Sequence, residues 1–306
     1  MFYTPPMRAT YREEPCRSAL NRVSGMGFRW SLNPYMGCAH RCAFCYVRGF
    51  ERRAERPSDE RYGTNVRVKV NVVEVLQGEL ARRGWRRELV AIGAATDPYQ
   101  PAEGRYRLTR GCIRVLGASR TPFSIITRGP LIVRDVDVLA EAARRAEVTV
   151  SVSIATLDES VSSVLEPGVA PPRQRLRAIR TLADAGIAAG VALAPILPGL
   201  TDAPRAMAAV LDAAREAGAT HAWSNVLNLR AGTREHFLGV LERKWPSELD
   251  RYRRLYPAGG SGYLAATVAG PIERRVAAVR RGSRVDDRRR IVLAPPPEPE
   301  QLPLAI

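Results

Sequence analysis

Three cysteines fall within eight residues, in the run Cys38-Ala-His-Arg-Cys42-Ala-Phe-Cys45-Tyr46. This C-x3-C-x2-C spacing puts three thiolates on one tight loop, where each can ligate one iron of a cubane [4Fe–4S] cluster and leave the fourth iron without a protein ligand. An iron left open in this way can be chelated by the amine and carboxylate of a small molecule. Zinc is the competing reading. Zinc sites usually close with four ligands, often as two C-x2-C pairs, and the chain has no second pair. His40 is an available fourth ligand, squeezed between Cys38 and Cys42. A three-cysteine catalytic zinc stays open as a less common arrangement.

Five cysteines, three of them clustered, do not make a disulfide framework and point to a reducing compartment. Cys112 falls on an apolar helical stripe and reads as a small core residue, while Cys16 stands alone in an irregular segment. No apolar run approaches the roughly 20 residues of a membrane span, and the N-terminus lacks a secretory apolar region. A cytoplasmic protein with no membrane partner is expected. The net charge is +16, which attracts polyanions such as nucleic acid. Only two of the 47 basic residues are lysines, Lys69 and Lys244, so a coding bias toward arginine also accounts for part of that charge.

The elements that must carry the loop can be laid out as six β-then-α units. Strands are expected near 31–36, 89–96, 123–127, 148–154, 188–197 and 220–229, and helices near 70–83, 107–118, 134–145, 171–186, 203–218 and 232–243. Short apolar runs alternating with amphipathic helices imply a parallel sheet wrapped by helices. Right-handed crossovers over six units give an α/β fold of the partial (β/α)6, TIM-like barrel type, with an open lateral mouth. Residues 1–29 read as an irregular N-terminal arm, 30–258 as the core domain and 259–306 as a basic, Pro-rich and partly disordered C-terminal extension. Residues 48–64 read as a charged loop.

These residues reach a family. C-x3-C-x-aromatic-C after a first strand, with Phe44 at the aromatic place, resembles the radical SAM superfamily. Within it the chain is similar to the spore photoproduct lyase-like branch over about residues 30–260. The similarity rests on NPYMGCAHRCAFCY (33–46), ATDPYQPAE (95–103), IITRGPLIVRDVDVL (125–139), VSVSIATLD (150–158), LEPGVAPPRQRL (165–176) and AGVALAPILPGLTD (189–202). The resemblance implies an enzyme that binds a [4Fe–4S] cluster through Cys38, Cys42 and Cys45 and reductively cleaves S-adenosylmethionine to a 5′-deoxyadenosyl radical, using an external flavodoxin- or ferredoxin-type electron donor.

It also implies cofactor contacts: Phe44 in the motif, Thr96 and Asp97 toward the amino group of S-adenosylmethionine, and Arg128 toward its carboxylate. Ser151 and Ser153 would face the ribose or carboxylate, and Ala194 and Ile196 the adenine. All but Phe44 lie toward C-terminal ends of expected strands, where sites on such folds are built. One position departs from the branch. A hydrogen-donating cysteine belongs three residues before Asp97, and this chain has Ala94 there.

Other residues carry two readings each. Tyr99 and Gln100 either touch substrate or complete a turn built on Asp97-Pro98. Glu166 reads either as a salt-bridge partner of Arg173 or Arg175 that orders its loop or as a ligand-binding residue, the structural role being favoured. His221 and His236 have no spaced partner and read as ordinary residues, and the arginines of 274–290 either grip phosphates or form a solvated tail. Three functions stay in view: a radical SAM enzyme on DNA or RNA, the same chemistry on a peptide or small molecule, and a non-catalytic zinc or nucleic-acid-binding protein.

Overall fold

The computed structural model describes residues 9–288 and residue 293. Strands β1 (Thr10–Glu14) and β2 (Leu20–Arg22) lead into β3 (Trp30–Leu32) and β4 (Tyr35–Met36). The cysteine loop follows, then helix α1 (Val47–Arg53), strand β5 (Asn65–Lys69) and helix α2 (Val72–Leu80). Strand β6 (Val90–Ile92) is followed by α3 (Pro101–Tyr106) and α4 (Leu108–Ala118), and β7 (Phe123–Thr127) by a 3-10 turn and α5 (Val136–Ala143). Strand β8 (Val148–Ser153) leads to α6 (Glu159–Leu165) and α7 (Pro172–Asp184), and β9 (Ala188–Ile196) to α8 (Pro204–Glu216). Strand β10 (His221–Val226) precedes α9 (Thr233–Lys244), α10 (Leu249–Leu255), α11 (Ala266–Ser283) and β11 (Asp286–Asp287).

Among the described residues eight strands form one sheet in the order β11-β10-β9-β8-β7-β6-β3-β2, parallel throughout except for the antiparallel edge pair β2–β3. Among the described residues the two edges do not pair, so this mostly parallel α/β sheet is open. The expected strands are all present, and β7 spans the expected residues. Every residue of β8 is buried, as in a parallel sheet covered on both faces. Helix α8 shows why the covering elements are helical. Met207, Val210, Leu211 and Ala214 recur at i, i+3, i+4 and i+7 and are its buried residues. Helix α7 starts with Pro172 at its first position and is stopped by Gly186, which takes φ +74°.

Three segments differ from what the sequence suggests. The described part of the N-terminal arm is not irregular: β1 pairs in parallel with β5, and β2 pairs with β3. Residues 10–14 are mostly exposed and polar, so this strand is held by its backbone ladder and shows no apolar alternation. Part of the 48–64 loop is helix α1. The described part of the C-terminal extension is also ordered, because Ile272 and Val276 of α11 and Val285 join the main core. Arginines dilute that stripe in the sequence, and Pro271 inside the helix argues against it. The expected disorder of 294–306 lies outside the described residues.

His221 illustrates how the strands fit together. Gly190 of β9 pairs with Ser151 on one side and with His221 on the other. A Cβ on Gly190 would lie 2.2 Å from the His221 carbonyl oxygen, and its absence lets the His221 Nε2 come within 3.3 Å of Ser151 Oγ across the intervening strand.

Burial, helped by Arg288, pushes the His221 imidazole down to about 4, and burial with Arg48 does the same to His236. An unfolded histidine takes its proton near pH 6.5, so the unfolded chain is protonated first. Stability is therefore full above about pH 6.5 and is lost as the pH falls toward 4, by about 3 kcal/mol for each fully desolvated imidazole. Urea unfolding at a series of pH values should show this loss; a flat profile would mean that neither ring is desolvated.

Candidate active site

The cysteine loop sits beyond the C-terminal ends of the parallel strands and consists of two successive turns. Arg41 N donates to Cys38 O at 3.3 Å and Cys45 N to Cys42 O at 3.2 Å, with Arg41 between them in the left-handed region at φ +55°. One cysteine opens each turn and the third closes the second. Cys38 and Cys42 are buried and Cys45 is half-buried, and none of the five cysteines is in a disulfide.

The segment after β6 clamps this loop. Thr96 Oγ1 donates to Gly37 O at 2.8 Å, and Gln100 Nε2 donates to the same oxygen at 3.0 Å. Gln100 Oε1 in turn accepts from Ala39 N at 2.9 Å, so both peptide groups flanking Cys38 are held by one buried amide. Gln100 therefore serves the loop rather than a turn alone. Asp97 ties the same region together. Its Oδ1 accepts from Thr127 Oγ1 at 2.6 Å and Tyr99 N at 2.9 Å, while its Oδ2 accepts from Arg128 N at 2.7 Å and lies 3.3 Å from His40 Nδ1. Burial alone would raise this carboxyl; His40, Thr127 and the Arg128 amide hold it at about 2 instead.

A second clamp comes from the unit after β8. Ala43 N donates to Leu165 O at 2.8 Å and Gly168 N to His40 O at 3.0 Å. Gly168 is required by the close approach, since a Cβ there would lie 2.5 Å from Ala39 O. Between these residues sits Glu166, 2% exposed, which joins two guanidinium groups: Arg128 Nε at 2.8 Å and Arg175 Nη2 at 2.6 Å. Of the two expected partners, Arg175 is the one that pairs; Arg173 lies near Glu159. Arg175 also donates to Ser153 O at 2.7 Å, and Arg128 to Ala194 O at 2.5 Å. Burial would raise the Glu166 carboxyl, and the two arginines reverse that and hold it low.

The expected cofactor contacts thus have definite surroundings. Phe44 is buried, with its ring centroid 5.3 Å from the Arg128 guanidinium carbon. Thr96, Asp97, Arg128 and Ser151 all have protein partners, while the Ser153 hydroxyl is buried without one among the described residues. Ala194 and Ile196, on β9, are buried. Tyr46 donates its hydroxyl to Ala94 O, at the place where the branch's cysteine is missing. Neither remaining cysteine is there: Cys112 is in the main core, and the Cys16 amide bonds Asn71.

Sequence reasoning missed Arg48, Tyr62 and Thr233, which also hold the loop. Thr233 Oγ1 donates to Cys45 O at 3.0 Å, Arg48 Nε to Cys42 O at 3.3 Å, and the Tyr62 hydroxyl lies 3.2 Å from Cys45 Sγ. Two of these lie in the charged 48–64 stretch, where no periodicity distinguishes them.

The donor set fits an iron–sulfur cluster. Burial pushes the Cys42 thiol up to about 12 although Arg128 pulls against it, and burial, Asp97 and the other two thiols push Cys38 up as well. Such thiols are inert on their own, and coordination to a metal deprotonates them outright. Among the described residues no three His, Cys, Asp or Glu side chains converge on a single ion. A cubane, with a separate iron for each thiolate, does not require that convergence.

Residues 32–211 match the family model described as the Radical SAM superfamily. An uncharacterised protein of Mycobacterium tuberculosis is 41% identical over 271 residues, covering 88% of this chain and 79% of its own. An uncharacterised protein of Acidianus two-tailed virus is 33% identical over 178 residues, covering 55% of this chain and 56% of its own. Among solved structures, spore photoproduct lyase superposes with a TM-score of 0.67 at 17% identity, over 90% of this chain and 79% of that one. That likeness is one of fold. A further structure of the lyase, at 18% identity, contains AdoMet and a dinucleoside spore photoproduct.

Replacing Glu166 with Ala leaves two guanidinium groups facing each other at a buried position. Removing one partner of such a network costs about 3–5 kcal/mol, and Glu166→Ala should lose that much stability in urea unfolding. A loss below about 1 kcal/mol would show that solvent screens the network as it does a surface pair.

Proposed function

The chain belongs to the radical SAM superfamily, whose enzymes use a [4Fe–4S] cluster and S-adenosylmethionine, and we propose that Cys38, Cys42 and Cys45 hold that cluster here. The observation that carries this reading is the pair of clamps that fix the backbone around three unpaired thiols at the strand ends. The βα units on either side then serve as a partial (β/α)6 barrel, with residues 30–258 as its core and the site at its mouth. When bound, the cluster and S-adenosylmethionine together supply a one-electron cleavage that yields methionine and a 5′-deoxyadenosyl radical.

The chain's own residues orient and shield this chemistry. Gln100 and Thr96 hold the peptide groups beside Cys38, so the first ligand cannot drift. Glu166 aligns Arg128 and leaves a cationic edge near Cys42, where a carboxylate would be favoured. The unpartnered Ser153 hydroxyl offers a polar contact at the end of β8, and the apolar Ala194 and Ile196 on β9 suit an adenine. Asp97, with its oxygens engaged by Thr127, Tyr99, Arg128 and His40, positions its neighbours. Thr96 and Phe44 complete the expected contacts. A flavodoxin- or ferredoxin-type donor would supply the electron. Unpaired thiols suit a reducing, cytoplasmic setting, and among the described residues no helix is long and apolar enough to cross a membrane.

Nucleic acid is the substrate class favoured by charge, for repair or modification. Arg82, Arg83, Arg86, Arg87 and Arg114 line a groove where the chain enters β6, at the far end of the strands from the cysteine loop, so they favour binding of a polyanion without presenting it to the site. Alanine at Ala94 speaks against quenching of a substrate radical by a cysteine at that place. A peptide or small-molecule substrate is the second reading, supported by the excess of arginine over lysine across the whole chain.

Anaerobic reconstitution with iron and sulfide, followed by reduction and addition of S-adenosylmethionine, should yield 5′-deoxyadenosine, and Cys42→Ala should abolish it. A wild-type chain that takes up stoichiometric zinc and no cluster would overturn the proposal. On the substrate class, retardation of DNA or RNA at low salt should weaken steeply as salt rises; no retardation even at low salt would leave the peptide or small-molecule reading.

A further inference from the structure

Arg48 and Tyr62 form a buried pair behind the third cysteine. Each is 1% exposed. The Arg48 guanidinium carbon lies 4.5 Å from the centroid of the Tyr62 ring. Its nitrogens donate to four carbonyl oxygens, those of Cys42 and Arg41 at 3.3 Å each, Ser58 at 2.8 Å and Asp59 at 2.6 Å. Among the described residues no carboxylate pairs with this guanidinium. A buried cation answered only by dipoles and a ring face is costly unless an anion stands close by. The nearest candidate is the thiol set itself: the Tyr62 hydroxyl is 3.2 Å from Cys45 Sγ. Gly63, at φ +78°, brings this turn against the loop, because a Cβ there would lie 2.2 Å from Cys38 O.

We infer that Tyr62 donates its hydroxyl hydrogen bond to the Cys45 sulfur and, with Arg48 on its ring, raises the reduction potential of the bound cluster. The inference rests on the reading that Cys45 ligates iron. Reduction adds one negative charge to the cluster. A hydrogen bond to a ligating sulfur and a nearby buried cation both stabilise that added charge, and such contacts are among the factors that set iron–sulfur potentials. Arg48 acts through the ring as well, since a cation over the face draws electron density from it and makes the O–H a stronger donor. Both are positioning residues: neither is placed to touch substrate.

The test is a potentiometric titration of the reconstituted holoprotein, followed by the electron paramagnetic resonance signal of the reduced cluster, with iron and sulfide content measured in parallel. In Tyr62→Phe the equilibrium constant for reduction should fall about tenfold, which is about 59 mV for one electron, at unchanged iron content. An unchanged potential at full iron content would overturn the inference. Should Tyr62→Phe not fold, 3-fluorotyrosine inserted at position 62 keeps the shape and sharpens the donor. The potential should then rise, and a potential equal to that of the wild type would again overturn it. Failure of the wild-type chain to take up any cluster is a separate result, which sinks the preceding proposal instead.

Discussion

Asp97 is the charge on which the site's geometry depends. One carboxylate, on the segment after β6, holds the end of the neighbouring strand β7 and the cysteine loop at once, through Thr127, Arg128 and His40. A carboxylate in this position has little water to fall back on, so its stability comes from donors that the fold must deliver in the right places. Removing any of them would leave a buried anion short of a partner. The same carboxylate fixes the backbone at Arg128, and so the origin of the side chain that reaches Glu166 and β9. Loop, strands and cationic edge are therefore one connected structure.

The two clamps around the loop divide the task by distance along the chain. Gln100 and Thr96 act on the first cysteine from the second βα unit, while Leu165 and Gly168 act on the middle of the loop from the fourth. Neither clamp uses a long, exposed side chain. Buried amide and backbone contacts lose little entropy once the core has formed, and they leave the loop in one arrangement. The motif therefore supplies the thiols, and the following units supply their fixed spacing.

Much of this was legible in the sequence. The cysteine spacing is local, and the parallel strands stand out as apolar runs between helices with a clear stripe, as in α8. Glu166 could be read because its arginine partner lies nine residues away, on the helix that follows. What stayed hidden is what depends on long-range contact. Strand β1 has no apolar alternation, because it is recruited by backbone pairing with β5. Arg48 and Tyr62 look like members of a charged loop until the fold buries them. Helix α11 hides its apolar positions among arginines and carries an internal proline. Gln100 reads equally as a substrate contact or a turn residue, because only the folded chain shows its amide beside Gly37 and Ala39.

The place of α11 and β11 in the sheet has a consequence for synthesis. Helix α11 packs on α8, and β11 covers the free side of β10, yet both come from residues 266–287. A growing chain that has released everything through α10 still exposes an uncovered helix face and a strand edge. At roughly 5–20 residues per second, that interval lasts on the order of seconds on the ribosome. The nascent segment therefore keeps this face and edge exposed until residues 266–287 have emerged, and α11 then covers that part of the core.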